Sequence, residues 1–214
     1  MRIVRLRFAC AAALLCAALL NRGGDAMAID EARYSVLERE GSFELRSYEP
    51  QVVAETVVEG DFDKVGSEGF RRLFRYISGE NRKKQSIAMT APVSQQGGGE
   101  KIPMTAPVGQ EKAGARWSIT FLMPPRCTIE SLPEPLDPGV KIKSVPARLM
   151  ASLRYTGTWS RKRYLARETE LRKMLIARGF TAQGEPVWAR YNPPFTLWFL
   201  RRNEVLIPVS QARP

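Results

Sequence analysis

With 214 residues, 44% hydrophobic and 26% charged, the chain has the length and apolar content of one domain with a sizeable core. Its formal net charge of +11 favours anionic partners, without choosing among nucleic acid, phospholipid headgroups and an acidic ligand. It contains no histidine, which removes a Ser-His-Asp or Cys-His apparatus, imidazole zinc ligation and a proximal imidazole on haem iron.

The first seven residues carry Arg2, Arg5 and Arg7, and Phe8 to Leu20 is an unbroken run of thirteen apolar or small residues. Ala26-Met27-Ala28 follows as an A-x-A element. That order is the one of a secretory signal peptide, and the run is short for a membrane span, so residues 1–28 are expected to be removed after Ala28. A retained N-terminal anchor is the alternative. Cys16 lacks the small residue before it that a lipoprotein signal carries. Removal takes four arginines and Asp25, leaving 29 basic and 21 acidic residues, a net charge of +8. It also takes Cys10 and Cys16, so the mature chain keeps Cys127 alone and forms no internal disulfide. The expected location is the periplasm or outside the cell, with no stable membrane insertion after cleavage, and export weakens a nucleic-acid reading of the charge.

From Tyr34 to Glu59 the pattern is that of strands: Phe43, Leu45 and Tyr48 alternate with polar neighbours, and Val52, Val53, Thr56, Val57 and Val58 are rich in β-branched carbons. A helix is predicted over about 63–78, with Val65, Phe70, Leu73, Phe74 and Ile77 at three- and four-residue spacing and Gly79 as its stop. Arg71, Arg72 and Arg75 fall largely off that stripe, as a solvated face or an anion contact. Ile87-Ala88-Met89-Thr90-Ala91-Pro92-Val93 is then repeated as Ile102-Pro103-Met104-Thr105-Ala106-Pro107-Val108, two apolar runs joined across Gly97-Gly98-Gly99. They read as two strands and a hairpin loop, the prolines marking edges, bulges or ends. Their methionines either fill the core or form a polarizable lip on a pocket.

Trp117 to Met123 reads as a strand, and the proline-rich stretch 124–139, which holds Cys127, as a loop between halves. Two more strands are predicted at 140–143 and 148–155, a second helix over about 160–178 built on Tyr164, Leu165, Leu171, Met174 and Leu175, and final strands at 187–191 and 195–209. Adding 97 to each number superposes the halves without a gap: Phe43 falls on Val140, Leu45 on Ile142, Val52 on Leu149, Gly60 on Gly157, Phe62 on Trp159 and Phe74 on Leu171. We read this as an internal duplication of a ββαβ-type unit, with halves of about 33–123 and 140–209. Two such units place their strands in one antiparallel sheet or barrel with two helices outside, an α+β domain.

The segment Phe43-Glu44-Leu45-Arg46-Ser47-Tyr48-Glu49-Pro50, the Met-Thr-Ala-Pro-Val run and the ending Arg201-Arg202-Asn203-Glu204-Val205 resemble the SOUL haem-binding protein family. The similarity covers about residues 33–209, so that 29–214 is expected to form a single SOUL-like domain. The resemblance implies a distorted eight-stranded antiparallel β-barrel with two long helices. It also implies non-covalent binding of haem or another tetrapyrrole in an accessible apolar groove, by a carrier or buffer and not by an enzyme. The axial histidine of one branch of the family falls on Ser47, so imidazole ligation is excluded and binding must rest on apolar contacts and basic residues near the propionates. Among basic positions on the first helix, Arg75 is the one retained. Haem is an apolar plate with two carboxylates, so the candidate ligand-binding residues are Arg75, Phe74, Ile77, Met89 and Met104. Met89, Met104 and Cys127 are the chemically possible iron ligands, each also readable as core or as a free thiol. Arg201 and Arg202 are read as a structural clamp on Glu204. No paired-carboxylate or nucleophile constellation stands out. The other readings are a module for other amphipathic small molecules and an enzyme that removes iron from a tetrapyrrole.

Overall fold

The computed structural model describes residues 31–97, 116–193 and 195–211. The segment that carries Met104, and the expected signal peptide, lie outside the described residues. The strands are β1 (Tyr34–Glu40), β2 (Phe43–Tyr48), β3 (Gln51–Glu59), β4 (Val93–Gly97), β5 (Arg116–Leu122), β6 (Val140–Val145), β7 (Arg148–Tyr155), β8 (Phe180–Ala182), β9 (Val187–Arg190) and β10 (Asn203–Gln211). Two helices, α1 (Phe62–Ile77) and α2 (Arg161–Ala177), follow β3 and β7. Both helices lie within a residue or two of their predicted bounds.

All ten strands belong to one sheet, in which β1, β2, β7, β10, β9, β4, β5, β3 and β6 are neighbours in that order and β8 pairs with the end of β10. Every pairing in it is antiparallel. From β2 to β6 the order maps onto itself when β2 is exchanged with β6, β7 with β3, β10 with β5 and β9 with β4. The 97-residue offset in sequence is therefore a pseudo-twofold in the sheet, with its axis between β4 and β9. Gly60 and Gly157, one offset apart, both have positive φ (134° and 128°) at the turn into a helix, a conformation that glycine alone adopts without strain. Each carbonyl is held by a side chain: Trp117 Nε1 donates to Gly60 O and Asn203 Nδ2 to Gly157 O, both at 3.1 Å.

Along the strands, alternate residues face the two helices. Phe43, Leu45, Ala54, Val58, Ile119, Phe121, Ala151, Leu153, Val205 and Ile207 meet Phe62, Val65, Leu73, Tyr76 and Ile77 of α1 and Tyr164, Leu171 and Leu175 of α2. At the centre Phe62 packs edge-on to Trp117, Tyr164 and Trp188, with ring centroids 5.2–5.5 Å away. Gly69 lets α1 close on β5, since a Cβ there would sit 2.7 Å from Ile119 Cγ1.

The other face is the inside of the curl. One cavity touches β2, β3, β4, β5, β6, β7, β9 and β10 together, which a flat sheet of that width cannot do. These eight strands are the expected barrel. β1 extends it at one edge and β8 caps β10, and no pairing is found between β6 and β1, so the curl is a half-barrel.

Two local expectations differ. The run Ile87–Val93 was expected to be strand, yet β4 begins only at Val93, and residues 87–92 form an extended lead-in with a single bridge from Ala91 to Glu31. Pro92 has no N–H to give a ladder and so bars a regular strand at that point. Likewise 195–209 is not one strand: Trp198–Leu200 is a turn of 3-10 helix and β10 starts at Asn203. Between Asn192 and Arg202 the backbone bonds to itself, Thr196 N to Pro193 O (3.1 Å) and Leu200 N to Leu197 O (2.9 Å), which competes with a ladder.

Candidate functional site

On α1 the residues with the buried stripe are Phe62, Val65, Leu73, Tyr76 and Ile77, and this separates the sequence-derived candidates. Ile77, expected on the ligand surface, is 4% exposed and packs in the core, its position at i+4 from Leu73 turning it into the sheet. Phe74, one residue round from Leu73, points outward and is 46% exposed. Its ring lies flat on that of Phe70, at 5.9 Å and 11°. Arg75 stands beside it with half its side chain in solvent and reaches Glu80 and Asp137, each at a loose 3.6 Å. Exposed pairs at that distance contribute little and exchange easily.

Met89 lies on the lead-in to β4, 38% exposed. The lead-in is tied to the end of α1, where Ile87 N donates to Ile77 O at 2.7 Å. Buried Asn81 closes the intervening loop, its Nδ2 donating to Tyr76 O (3.1 Å) and Gln85 O (2.7 Å). The structure thus brings Phe74, Arg75 and the Met89 segment to one end of α1. Cys127 is a partly buried free thiol in the proline-rich loop, which is not a loose linker: Tyr76 Oη donates to Pro133 O (2.9 Å) and Arg82 N to Glu134 O (3.0 Å). Among the described residues no cluster of three histidine, cysteine or acidic side chains forms a metal site. Ser47 is exposed on β2.

On the inner face the two terminal signatures meet. Arg46 donates from Nη1 to Glu204 Oε2 (2.6 Å) and from Nη2 to Oε1 (3.0 Å), and its Nε reaches Glu44 (2.7 Å). Glu204 also accepts from Tyr191 Oη (2.7 Å) and Arg202 Nε (3.0 Å). Burial alone would raise the Glu204 carboxyl, but the bonds and charge of Arg46, joined by Arg202 and Tyr191, hold it below the ordinary range. Burial, reinforced by Glu204, raises the Tyr191 phenol well above its usual value. The expected clamp of Arg202 on Glu204 is present, while Arg201 bonds Thr196 O (2.7 Å) and stacks on Trp159 at 4.4 Å. A saturated ion network of this kind, with Arg46 and Glu204 fully buried at its centre, is architecture, not a vacancy for a ligand.

Next to it lies the cavity, about 170 Å³, walled by Val53, Leu122, Met150, Val187 and Leu206. Three charged residues face it. Glu55 is held by Lys143 (2.5 Å) and Ser118 (2.6 Å). Arg148, half-buried at the start of β7, has no hydrogen-bonding or ionic partner among the described residues. Burial pulls its pKa below the ordinary arginine value, and the neighbouring Tyr48 opposes this only in part. The amide Nε2 of Gln51, on the same wall, is buried without a partner. The sequence reading missed this site: its residues come one to three at a time from eight strands, and period-two alternation is the only signal they carry.

A half-barrel of two related halves with both helices on its outer face defines the class. A family model, "SOUL heme-binding protein", matches residues 29–208. The chain belongs to the SOUL heme-binding protein family. It is 46% identical over 55 residues to "Heme-binding protein 2" of Homo sapiens, covering 25% of this chain and 27% of that one. The alignment therefore spans little more than a quarter of that relative's length. The C-terminal domain of EcmrR superposes with a TM-score of 0.58 at 11% identity, covering 84% of this chain and 99% of the domain. An uncharacterized conserved protein from Listeria innocua gives 0.57 at 14%, covering 79% of this chain and 92% of that one. These two likenesses show the fold alone.

Proposed function

We propose that the protein is an exported tetrapyrrole-binding protein, a carrier or buffer that takes haem on the exposed end of α1 without an iron ligand from histidine. The observation that carries this reading is the outward-facing Phe74, stacked on Phe70 and flanked by a half-exposed, loosely paired Arg75. An aromatic shelf with a half-exposed guanidinium at its edge suits an apolar plate that ends in carboxylates. The inner cavity is too small for the plate, since pockets that enclose drug-sized ligands run to about 300–1,000 Å³. Binding is then face-on and partly solvent-exposed. Covering the remaining half of Phe74 contributes about 1 kcal/mol, so affinity rests as much on Arg75 and on the rest of the surface. Export rests on residues 1–28, and family membership supports tetrapyrrole as the ligand class.

The test is a titration of residues 29–214 with hemin and with iron-free protoporphyrin, followed by Soret absorbance and tryptophan quenching. Saturable one-to-one binding of both, weakened by Arg75→Ala and Phe74→Ser, is expected. Unselective porphyrin binding that tolerates Arg75→Ala would favour a general module for amphipathic ligands. No saturable binding of either ligand would overturn the tetrapyrrole reading.

A further inference from the structure

We propose that the inner-face cavity is a second site, for a small monocarboxylate with an apolar body. The carboxylate sits on Arg148 and the body lies between Val53, Leu122, Met150, Val187 and Leu206.

Three observations converge on this chemistry. The first is charge. Of the ionised groups facing the cavity, Glu55 and Lys143 pair with each other at 2.5 Å, so that among the described residues the guanidinium of Arg148 is the charge of the wall without a counter-ion. Arg46 and Arg202, which lie on the same side of the sheet, are both fully engaged with glutamates. A half-buried cation without a counter-ion is costly and is satisfied by a bound anion.

The second is the remaining donor. Gln51 Nε2 is buried on the same wall without an acceptor, and a carboxylate has lone pairs for both it and the guanidinium. Besides the paired Glu55 and Lys143, the other lining groups that hydrogen-bond are neutral: the hydroxyls of Tyr48, Ser94, Thr120 and Ser144 and the amide of Gln96. One cation outside the Glu55–Lys143 pair, set beside the aliphatic patch of Val53, Leu122, Met150, Val187 and Leu206, suits a monoanion with an apolar tail, whereas a phosphate dianion calls for several charged donors.

The third is size. An apolar-walled cavity of about 150 Å³ takes a molecule such as benzene, and this one is about 170 Å³. Aromatic or short-chain aliphatic acids of benzoate's dimensions fit; a tetrapyrrole does not. The site therefore lies on the opposite face of the sheet from Phe74 and Arg75 and is independent of the surface assigned to the tetrapyrrole.

Benzoate is the probe, with benzylamine as a cation of the same shape. Equilibrium dialysis of the full chain, with amide NMR shifts to locate the ligand, is expected to show one saturable benzoate site with shifts on β3, β5, β7 and β10, and no benzylamine site. Arg148→Met keeps the stem and removes the charge. It is expected to weaken benzoate about ten- to a hundredfold, to leave hemin binding unchanged, and to leave the melting temperature unchanged or higher because an unpaired charge is gone. Ser94→Leu, which fills the cavity and keeps Arg148, gives a second route to the same loss should Arg148→Met fail to fold. Failure of benzoate to saturate in the millimolar range, equal binding of benzylamine, or undiminished binding by both variants overturns the proposal. Loss of hemin binding in Arg148→Met would make the cavity part of the tetrapyrrole site and overturn its independence.

Discussion

Arg46 on β2 and Glu204 on β10 meet across β7 in a two-pronged ion pair, 2.6 and 3.0 Å, with neither side chain more than 2% exposed. One residue belongs to the Phe43–Pro50 segment and the other to the Arg201–Val205 ending, so two of the three stretches that carry the family resemblance are halves of a single contact. Its role is to fix β2, β7 and β10 in register, and Ser152 of the intervening strand completes it with a 3.4 Å bond to Glu204.

Breaking that pair from one side should be severe. Arg46→Ala leaves a buried carboxylate with Arg202, Tyr191 and the long bond from Ser152, and unpairing a buried charge costs about 3–5 kcal/mol. The double variant Arg46→Met/Glu204→Leu should cost clearly less than the two single changes added together, because it removes both charges. Urea denaturation of the four proteins measures the coupling, and strict additivity would contradict the assignment.

The same pair sets an acid limit on stability. Glu204 ionises below its ordinary value of 4.5 in the folded chain, burial being outweighed by Arg46, Arg202 and Tyr191. A depressed carboxyl contributes stability fully above the unfolded pKa and loses it as pH falls through the folded one. Stability should therefore decline from about pH 5 downward. In Glu204→Gln the absolute stability is lower at neutral pH but this part of the decline is gone. Denaturation midpoints from pH 7 to pH 3 compare the slopes, and equal slopes would remove Glu204 as their source.

The contact of α1 with β5 depends on Gly69. A methyl group there would meet Ile119 Cγ1, Cβ and Cδ1 at 2.7–2.9 Å, and Ile119 is 1% exposed with nowhere to move. Gly69→Ala gains helix propensity but is expected to lose about 1–3 kcal/mol to overpacking. Thermal unfolding decides between the two terms; a stabilised variant would show that α1 slides freely on the sheet.

The fold was largely legible because its signals are local or repeated. Both helices, the duplication and most strands follow from spacing, β-branching and one constant offset. The errors lie where tertiary context decides. Ile77 and Phe74 are both apolar positions of the same helix, and only the packing of α1 on β3 and β5 separates the buried one from the exposed one. The lead-in at 87–92 and the turn at 195–200 have strand-like composition, but proline and local backbone bonds displace the ladder. The cavity left only the period-two alternation, since no two of its lining aliphatic residues from different strands are recognisable as neighbours before the sheet curls. The ion pair was half seen: Arg202 with Glu204 is two residues apart, whereas Arg46 is 158 away.

Phe195, Leu197, Trp198, Phe199 and Leu200 are all more than half exposed, Phe195 reaching 86%. They contribute little to the core, so Trp198→Ser/Phe199→Ser should change stability by less than about 0.5 kcal/mol. An exposed apolar patch of that size promotes self-association. Sedimentation velocity should show less concentration-dependent association in the variant at an unchanged melting temperature, and a marked fall in that temperature would mean the segment is packed.

Met89 provides the sharpest check on how haem is held. Its side chain is 38% exposed on a segment that the Ile87–Ile77 bond ties to the end of α1, and a thioether is chemically able to bind iron. The proposed binding uses the plate and its carboxylates and no iron ligand, so hemin and iron-free protoporphyrin should bind with similar affinity. Met89→Ala should leave the fold intact, because its side chain is outside the buried core, and should leave the Soret band of the hemin complex in place. A shifted Soret band, together with a selective loss of hemin over protoporphyrin, would instead assign the thioether as an axial ligand and turn a ligand-free surface site into a coordinated one.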